Sequence, residues 1–193
     1  MSPKPDLTPA ADAMAALLAG VTDEQLTAPT PCEDYTLGDL IDHIDGLAQA
    51  FTNAALKDFP EGGSQGPSGD ASRLGDDWRT RIPARLKTLA EAWQAPAAWE
   101  GTTAAGGFDL PAEIAGTVAL NELVVHGWDV AVSTGQPFDP APATLEPSLH
   151  LLTPQDTESP DGFFGPIVAV PESAPLLHRV LGLSGRDPEW TRP

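Results

Sequence analysis

Residues 121–129 read Asn-Glu-Leu-Val-Val-His-Gly-Trp-Asp and lie inside an apolar segment that runs from Leu110 to Val132. After the first turn of this segment, its ionisable side chains are Glu122, His126 and Asp129. Because an α-helix turns by about 100° per residue, these three side chains fall within an arc of about 60° on one face. A helix that is apolar over nearly all of its remaining surface is typically buried. The segment therefore predicts a buried helix that carries one ionisable face.

The burial of a carboxylate beside an imidazole is costly unless something pairs with both groups. A divalent metal would do so, since carboxylates and imidazoles are both zinc ligands. Alternatively, Glu122 and His126 form a structural hydrogen bond or ion pair, because their i, i+4 spacing serves that role equally well. This helix alone leaves both interpretations open, and a third ligand from another part of the chain would favour the metal.

A second helix is predicted to begin after Thr36, with Asp39 completing a variant of the capping box. His43 lies on the flank of the apolar stripe of this helix, so its ring can reach a neighbouring helix. A lone histidine in this position is typical of the edge of a core, but His43 becomes a third ligand if it faces Glu122 and His126. The stripe has helical period and consists of Leu37, Leu40, Ile41, Ile44, Leu47, Ala48, Phe51 and Ala55.

The pattern of the whole chain predicts a mainly all-α protein built on a four-helix bundle, with a short irregular C-terminal extension. Pro83 should kink or interrupt the third helix, and Asp109 should cap the fourth. We expect residues 1–136 to form the metal-binding bundle and residues 137–193 to pack on the same domain. The bundle helices are predicted over about residues 9–19, 37–57, 72–93 and 110–133, and the extension is predicted to hold helices near 143–152 and 174–183. Between the third and fourth helices we expect a connector over residues 95–107 with a short extended piece at 99–103, and we expect a loop or short strand at residues 163–170.

The charge of the chain excludes some partners. Its 193 residues carry 10 Lys and Arg against 28 Asp and Glu, a net charge of −18. Nucleic acids and anionic membrane surfaces require basic patches, so we expect neither as a partner. Cys32 is the single cysteine, so no intrachain disulfide can form and a reducing compartment suits the chain. Without a signal-peptide core or a membrane-length apolar run, we expect a cytoplasmic protein, as a monomer or homodimer.

Two histidines and one carboxylate would leave a fourth zinc position open, as in catalytic rather than structural sites. Asp129 lies one turn beyond His126 and is a candidate to accept a hydrogen bond from a ligand imidazole from outside the ligand set. Its alternative role is an ordinary salt bridge or cap near the helix end. Cys32 precedes the second helix and is an imaginable fourth ligand or nucleophile. No histidine adjoins it in sequence to activate it, so we interpret it as a small apolar residue packed under its loop.

Two segments of the chain resemble a known family. Residues 30–43, TPCEDYTLGDLIDH, resemble the first signature of the mycothiol-dependent maleylpyruvate isomerase N-terminal domains, and residues 122–129, ELVVHGWD, resemble the second. These domains belong to the DinB/YfiT-like superfamily of four-helix bundles. The ending GRDPEW, residues 185–190, is similar to that of an actinobacterial subgroup.

The resemblance implies that His43, Glu122 and His126 bind a divalent metal, which in the family is typically zinc. It also implies a thiol cosubstrate such as mycothiol, whose thiolate the metal would hold against an electrophilic substrate. The isomerase has an additional C-terminal domain, and residues 137–193 are too few for a comparable one. We therefore expect a metal- and thiol-dependent transferase or isomerase of unknown substrate. A metal-dependent hydrolase and a non-catalytic, stress-associated metal-binding protein stay open as alternatives.

Overall fold

The computed structural model describes residues 4–59, 63–153 and 166–192. Short 3₁₀ turns cover Asp23–Thr27, Ala71–Arg73 and Pro96–Trp99. The mainly helical class predicted from the sequence is confirmed. The regular elements of these residues are α1 (Thr8–Ala19), α2 (Leu37–Leu56), α3 (Trp78–Gln94), β1 (Thr102–Ala105), β2 (Phe108–Pro111), α4 (Ala112–Thr134), α5 (Pro142–Leu152) and α6 (Leu176–Leu183).

Within the described ranges, the helices fall short of the combined length and apolarity that crossing a membrane requires.

Four helices surround the hydrophobic core. Both α1 and α2 pack against α3 and α4, so each helix of the set has two helical neighbours. The full burial of one Leu or Ile side chain in this core contributes about 1.5–3 kcal/mol to the stability of the fold. Helix α4 is buried along most of its length, as its apolar surface predicts. Each of the helices α1 to α4 supplies at least one fully buried side chain to this core, for example Leu18, Leu40, Ile82 and Leu120.

The start of α2 carries the predicted capping box. The Thr36 hydroxyl accepts a hydrogen bond from the Asp39 backbone N–H at 3.3 Å, and the Asp39 carboxylate accepts one from the Thr36 N–H at 3.0 Å. The other carboxylate oxygen of Asp39 accepts a hydrogen bond from the Ala71 N–H at 2.8 Å. One helical turn later, Asp42 accepts the Asp70 N–H at 3.0 Å. The segment that follows α2 is therefore tied back along the first half of that helix.

Helix α3 begins later than the sequence predicts. Gly75 has a φ of +66°, a left-handed conformation that separates the 3₁₀ turn at residues 71–73 from the helix at Trp78. Pro83 does not interrupt the helix, which continues to Gln94. The proline removes one backbone hydrogen bond, and the burial of Ile82 and Leu86 on the same helix offsets that loss.

A β-hairpin precedes α4, where the sequence predicted a connector with a short extended piece. Gly106 and Gly107 have φ values of +61° and +87°, which suit a two-residue turn between antiparallel strands. The register pairs Ala105 with Phe108. Asp109 lies in β2, so the predicted helix cap at Asp109 is wrong. The hairpin takes residues 108–111, and α4 begins only after Pro111.

The C-terminal part of the chain contains the two predicted helices. Helix α5 packs against α4, and α6 packs against α5. The loop or short strand expected near residues 163–170 lies partly outside the described residues. Its described part, from residue 166, has no regular structure. Here the Val168 N–H donates to the Gly182 carbonyl at 2.9 Å, which ties this segment to α6.

We predict that Gly116→Ala destabilises the protein. A Cβ at residue 116 would lie 2.6 Å from the Trp99 ring and 2.7 Å from the Trp93 ring. Both rings are buried, and their centroids are 4.9 Å apart, so neither can withdraw. Alanine favours a helix over glycine by about 1 kcal/mol, but overpacking of this kind costs about 1–3 kcal/mol. Urea unfolding should show a net loss, whereas the exposed control Glu113→Ala should change stability by less than about 0.5 kcal/mol. A Gly116→Ala variant more stable than the wild type would contradict this packing.

Candidate metal centre

The packing of α2 on α4 brings His43 opposite Glu122 and His126. One potential ligand atom from each of these residues lies within 4.8 Å of the other two. The two imidazole rings meet edge to face, with centroids 5.1 Å apart. The structure therefore brings together the three side chains that the sequence predicted as metal ligands.

His126 lies between two carboxylates. Its Nε2 is 3.1 Å from Glu122 Oε2, and its Nδ1 is 3.0 Å from Asp129 Oδ2. Burial of the ring lowers the pKa of His126, but the hydrogen bonds to Asp129 and Glu122 outweigh that effect and raise the pKa to about 9. Without a metal the ring is therefore an imidazolium, with one carboxylate at each nitrogen.

His43 has the opposite protonation behaviour. Burial of the ring, reinforced by the nearby His126, lowers the pKa of His43 to about 4. Its Nδ1 lies 2.8 Å from the Pro67 carbonyl oxygen. A carbonyl can only accept, so Nδ1 carries the hydrogen and Nε2 keeps its lone pair. The ring is thus neutral at physiological pH, which is the form that binds metals.

The close approach of Pro67 to α2 depends on Gly46. A Cβ at residue 46 would lie 2.4 Å from the Cβ of Pro67, which real structures do not tolerate. Glycine at this position therefore lets the segment after α2 bring the Pro67 carbonyl to His43. The Tyr35 ring covers another side of His43, with centroids 5.4 Å apart. Its hydroxyl accepts the Gly69 N–H at 3.0 Å, which holds the same segment in place.

Asp129 has a second partner that the sequence analysis missed. Arg186 Nε lies 3.0 Å from Asp129 Oδ1, and its Nη2 lies 3.1 Å from Oδ2. Asp129 is completely buried and Arg186 is largely so. The contact joins residues 57 positions apart, and no local pattern predicts it. The available signal was the burial of Asp129 itself, because a buried carboxylate requires a cationic partner.

Cys32 lies beside the cluster but is not one of its three members. The thiol is half-buried, and Arg186, Asp129 and Glu122 are close enough to act on it electrostatically. Burial is the largest effect and raises the pKa of the thiol. A thiol with a raised pKa is a poor nucleophile at neutral pH, which agrees with its interpretation as a packed residue.

The donor set fits a divalent cation. Two imidazoles and one carboxylate suit zinc with an open fourth position. The Nδ1 of each ring faces an oxygen acceptor, an arrangement that fixes ligand histidines in metal sites. A structural ion pair would account for Glu122 and His126, but it gives no role to the neutral His43 at their side.

Comparison with known proteins identifies the family of the chain. The family model described as the mycothiol maleylpyruvate isomerase N-terminal domain matches residues 7–131. The chain belongs to this family. The matched range contains His43, Glu122, His126 and Asp129, but Arg186 lies beyond it.

Among relatives in this family, uncharacterized proteins from two strains of Mycobacterium tuberculosis are 37% identical to the chain over 151 residues, which covers 72% of this chain and 69% of each relative. A crystal structure of the mycothiol-dependent maleylpyruvate isomerase matches with a TM-score of 0.59 at 18% identity, covering 77% of this chain and 68% of that one. A mutant of the same isomerase matches with a TM-score of 0.57. At this identity, the structural matches establish a shared fold.

We predict opposite pH dependences for the two histidines in chelator-treated protein. His126 has a folded pKa of about 9 against an ordinary value of 6.5, so its stabilising contribution is complete below pH 6.5 and is lost as the pH rises through 9. His43 has a folded pKa of about 4, so its contribution is present above pH 6.5 and is lost as the pH falls through 4. Urea unfolding between these limits, compared with His126→Gln and His43→Gln, isolates each contribution.

The free-energy difference between wild type and His126→Gln should shrink from pH 6.5 to 9. The difference between wild type and His43→Gln should shrink from pH 6.5 to 4. A His126→Gln difference that grows towards pH 9 would contradict the double carboxylate contact of His126.

Proposed function

We propose that the protein binds one divalent metal, with zinc as the best-fitting ion, through His43, Glu122 and His126. We further propose that it acts as a transferase or isomerase that uses a small-molecule thiol, such as mycothiol, on an electrophilic substrate. The observation that carries the proposal is the convergence of three ligand atoms within 4.8 Å, with an oxygen acceptor at the Nδ1 of both histidines.

The chain's own residues would prepare the site. The Pro67 carbonyl and the Asp129 carboxylate hold the Nδ1–H groups, so each Nε2 serves as the ligand atom. When bound, a divalent ion supplies Lewis acidity that lowers the pKa of a coordinated thiol. His126 is buried, whereas His43 and Glu122 are partly exposed, so a small molecule would approach from the side of these two residues.

Family membership supports an external thiol. The matched family model is named for mycothiol, and the solved structure that shares the fold is titled a mycothiol-dependent isomerase. The chain's own thiol is poorly suited to the chemistry, because burial raises the pKa of Cys32. A thiol-dependent reaction at this site would therefore use a thiol from solution.

We predict that ligand variants lose metal. His43→Ala and His126→Ala should each abolish stoichiometric zinc, because two remaining protein ligands hold zinc weakly. Glu122→Gln should weaken binding, since a neutral amide replaces a carboxylate. Inductively coupled plasma mass spectrometry of dialysed protein measures the bound metal. Cys32→Ser is the matched control and should keep one equivalent; if all three ligand variants also kept one equivalent, the site assignment would be wrong.

We predict that mycothiol binds through its sulfur. Cobalt-substituted protein should develop a thiolate-to-metal charge-transfer band when mycothiol is added. S-methylated mycothiol is the matched control, because it has no ionisable thiol, and it should produce no such band. A wild-type protein that binds one cobalt but shows no band at saturating mycothiol would refute the thiol part of the proposal and leave the metal site intact.

A further inference from the structure

The segment after α6 turns sharply back towards the core. Gly185 has a φ of +79°, and its N–H donates to the Gly182 carbonyl at 3.1 Å. The next N–H, of Arg186, donates to the Leu181 carbonyl at 2.9 Å. This pair of bonds is the Schellman arrangement that ends helices at a left-handed glycine. The turn places Arg186 where its side chain reaches α4.

The helix that carries this turn is firmly docked. Val180 and Leu181 are fully buried, and the Asn121 amide of α4 donates to the Ser184 hydroxyl at 3.5 Å. The packing of α6 therefore fixes the position from which the Arg186 side chain reaches Asp129.

Both oxygens of Asp129 are engaged on the side of Arg186. Oδ1 accepts Nε at 3.0 Å, and Oδ2 accepts Nη2 at 3.1 Å. The same Oδ2 lies 3.0 Å from Nδ1 of His126. The planar guanidinium donates in a two-pronged geometry that fixes the plane of a carboxylate, so the orientation of Asp129 towards His126 depends on Arg186.

We propose that Arg186 is a positioning residue of the metal centre. It holds Asp129, which in turn holds the Nδ1–H of His126 and presents Nε2 to the metal. This inference rests on the metal site proposed above. It adds that the C-terminal segment, outside the family-matched residues 7–131, completes the site.

A purely structural role for Arg186 would predict a different behaviour. Arg192 provides the comparison, because its Nη1 also reaches α4, at the Ser133 carbonyl 3.4 Å away, without contacting the cluster. If these arginines only attach the tail to α4, replacing either should affect stability and leave the metal affinity unchanged. If Arg186 acts through Asp129, replacing Arg186 should weaken metal binding, whereas replacing Arg192 should not.

The test measures zinc affinity of the full chain by competition with a chromophoric chelator. Arg186→Met should weaken zinc binding by about 10- to 100-fold, the usual effect of removing a group that orients a ligand. Arg186→Lys keeps the charge without the two-pronged contact and should give an intermediate loss. Arg192→Met should bind zinc as tightly as the wild type. The visible spectrum of the cobalt-substituted Arg186 variants should also change, because the His126 ring would no longer be held in one orientation towards the metal.

Circular dichroism establishes which variants are folded, and Arg186→Lys carries the test if Arg186→Met does not fold. Wild-type zinc affinity and an unchanged cobalt spectrum in Arg186→Lys and in any folded Arg186→Met, with metal lost in His126→Ala, would overturn this inference and leave the proposed function standing. A wild-type chain that binds neither zinc nor cobalt would overturn both.

Discussion

The burial of the Asp129 carboxylate, which α4 carries, is the constraint on which the rest of the site depends. A buried charge is tolerated only when it is paired and hydrogen-bonded, and Asp129 meets this condition through Arg186 on one side and His126 on the other. The pairing couples the C-terminal segment to α4, and it also fixes the imidazole that faces α2. One buried carboxylate thus links the tail of the chain to the cluster between the helices.

A second set of contacts prepares the opposite side of the cluster. Asp39 and Asp42 accept backbone N–H groups from the segment after α2, and that segment places the Pro67 carbonyl on His43. The acidic side chains at the start of α2 therefore stabilise the loop, and the loop orients a histidine. The two histidines end in opposite charge states. Burial and the nearby His126 keep the His43 ring neutral, whereas two carboxylates hold the proton on His126.

The sequence predicted the parts of the site that lie on regular helices. Helical period placed Glu122 and His126 on one face, and the same period set His43 at the edge of the core stripe of α2. The sequence did not predict that Arg186 contacts Asp129 or that Pro67 contacts His43. These tertiary contacts join residues 57 and 24 positions apart, respectively. The sequence analysis also missed the hairpin before α4, since two four-residue strands carry little periodicity and Gly106-Gly107 alone marked the turn. Asp109 was accordingly misassigned as a helix cap, although a strand occupies its position.

X-ray absorption spectroscopy at the zinc edge examines the proposed coordination most directly. Zinc-loaded protein should show two imidazole nitrogens at about 2.0–2.1 Å, with multiple scattering from the rings, and oxygen as the remaining protein ligand. A sulfur scatterer at about 2.3 Å in protein free of added thiol, or a coordination shell without imidazole, would contradict a site built from His43, Glu122 and His126.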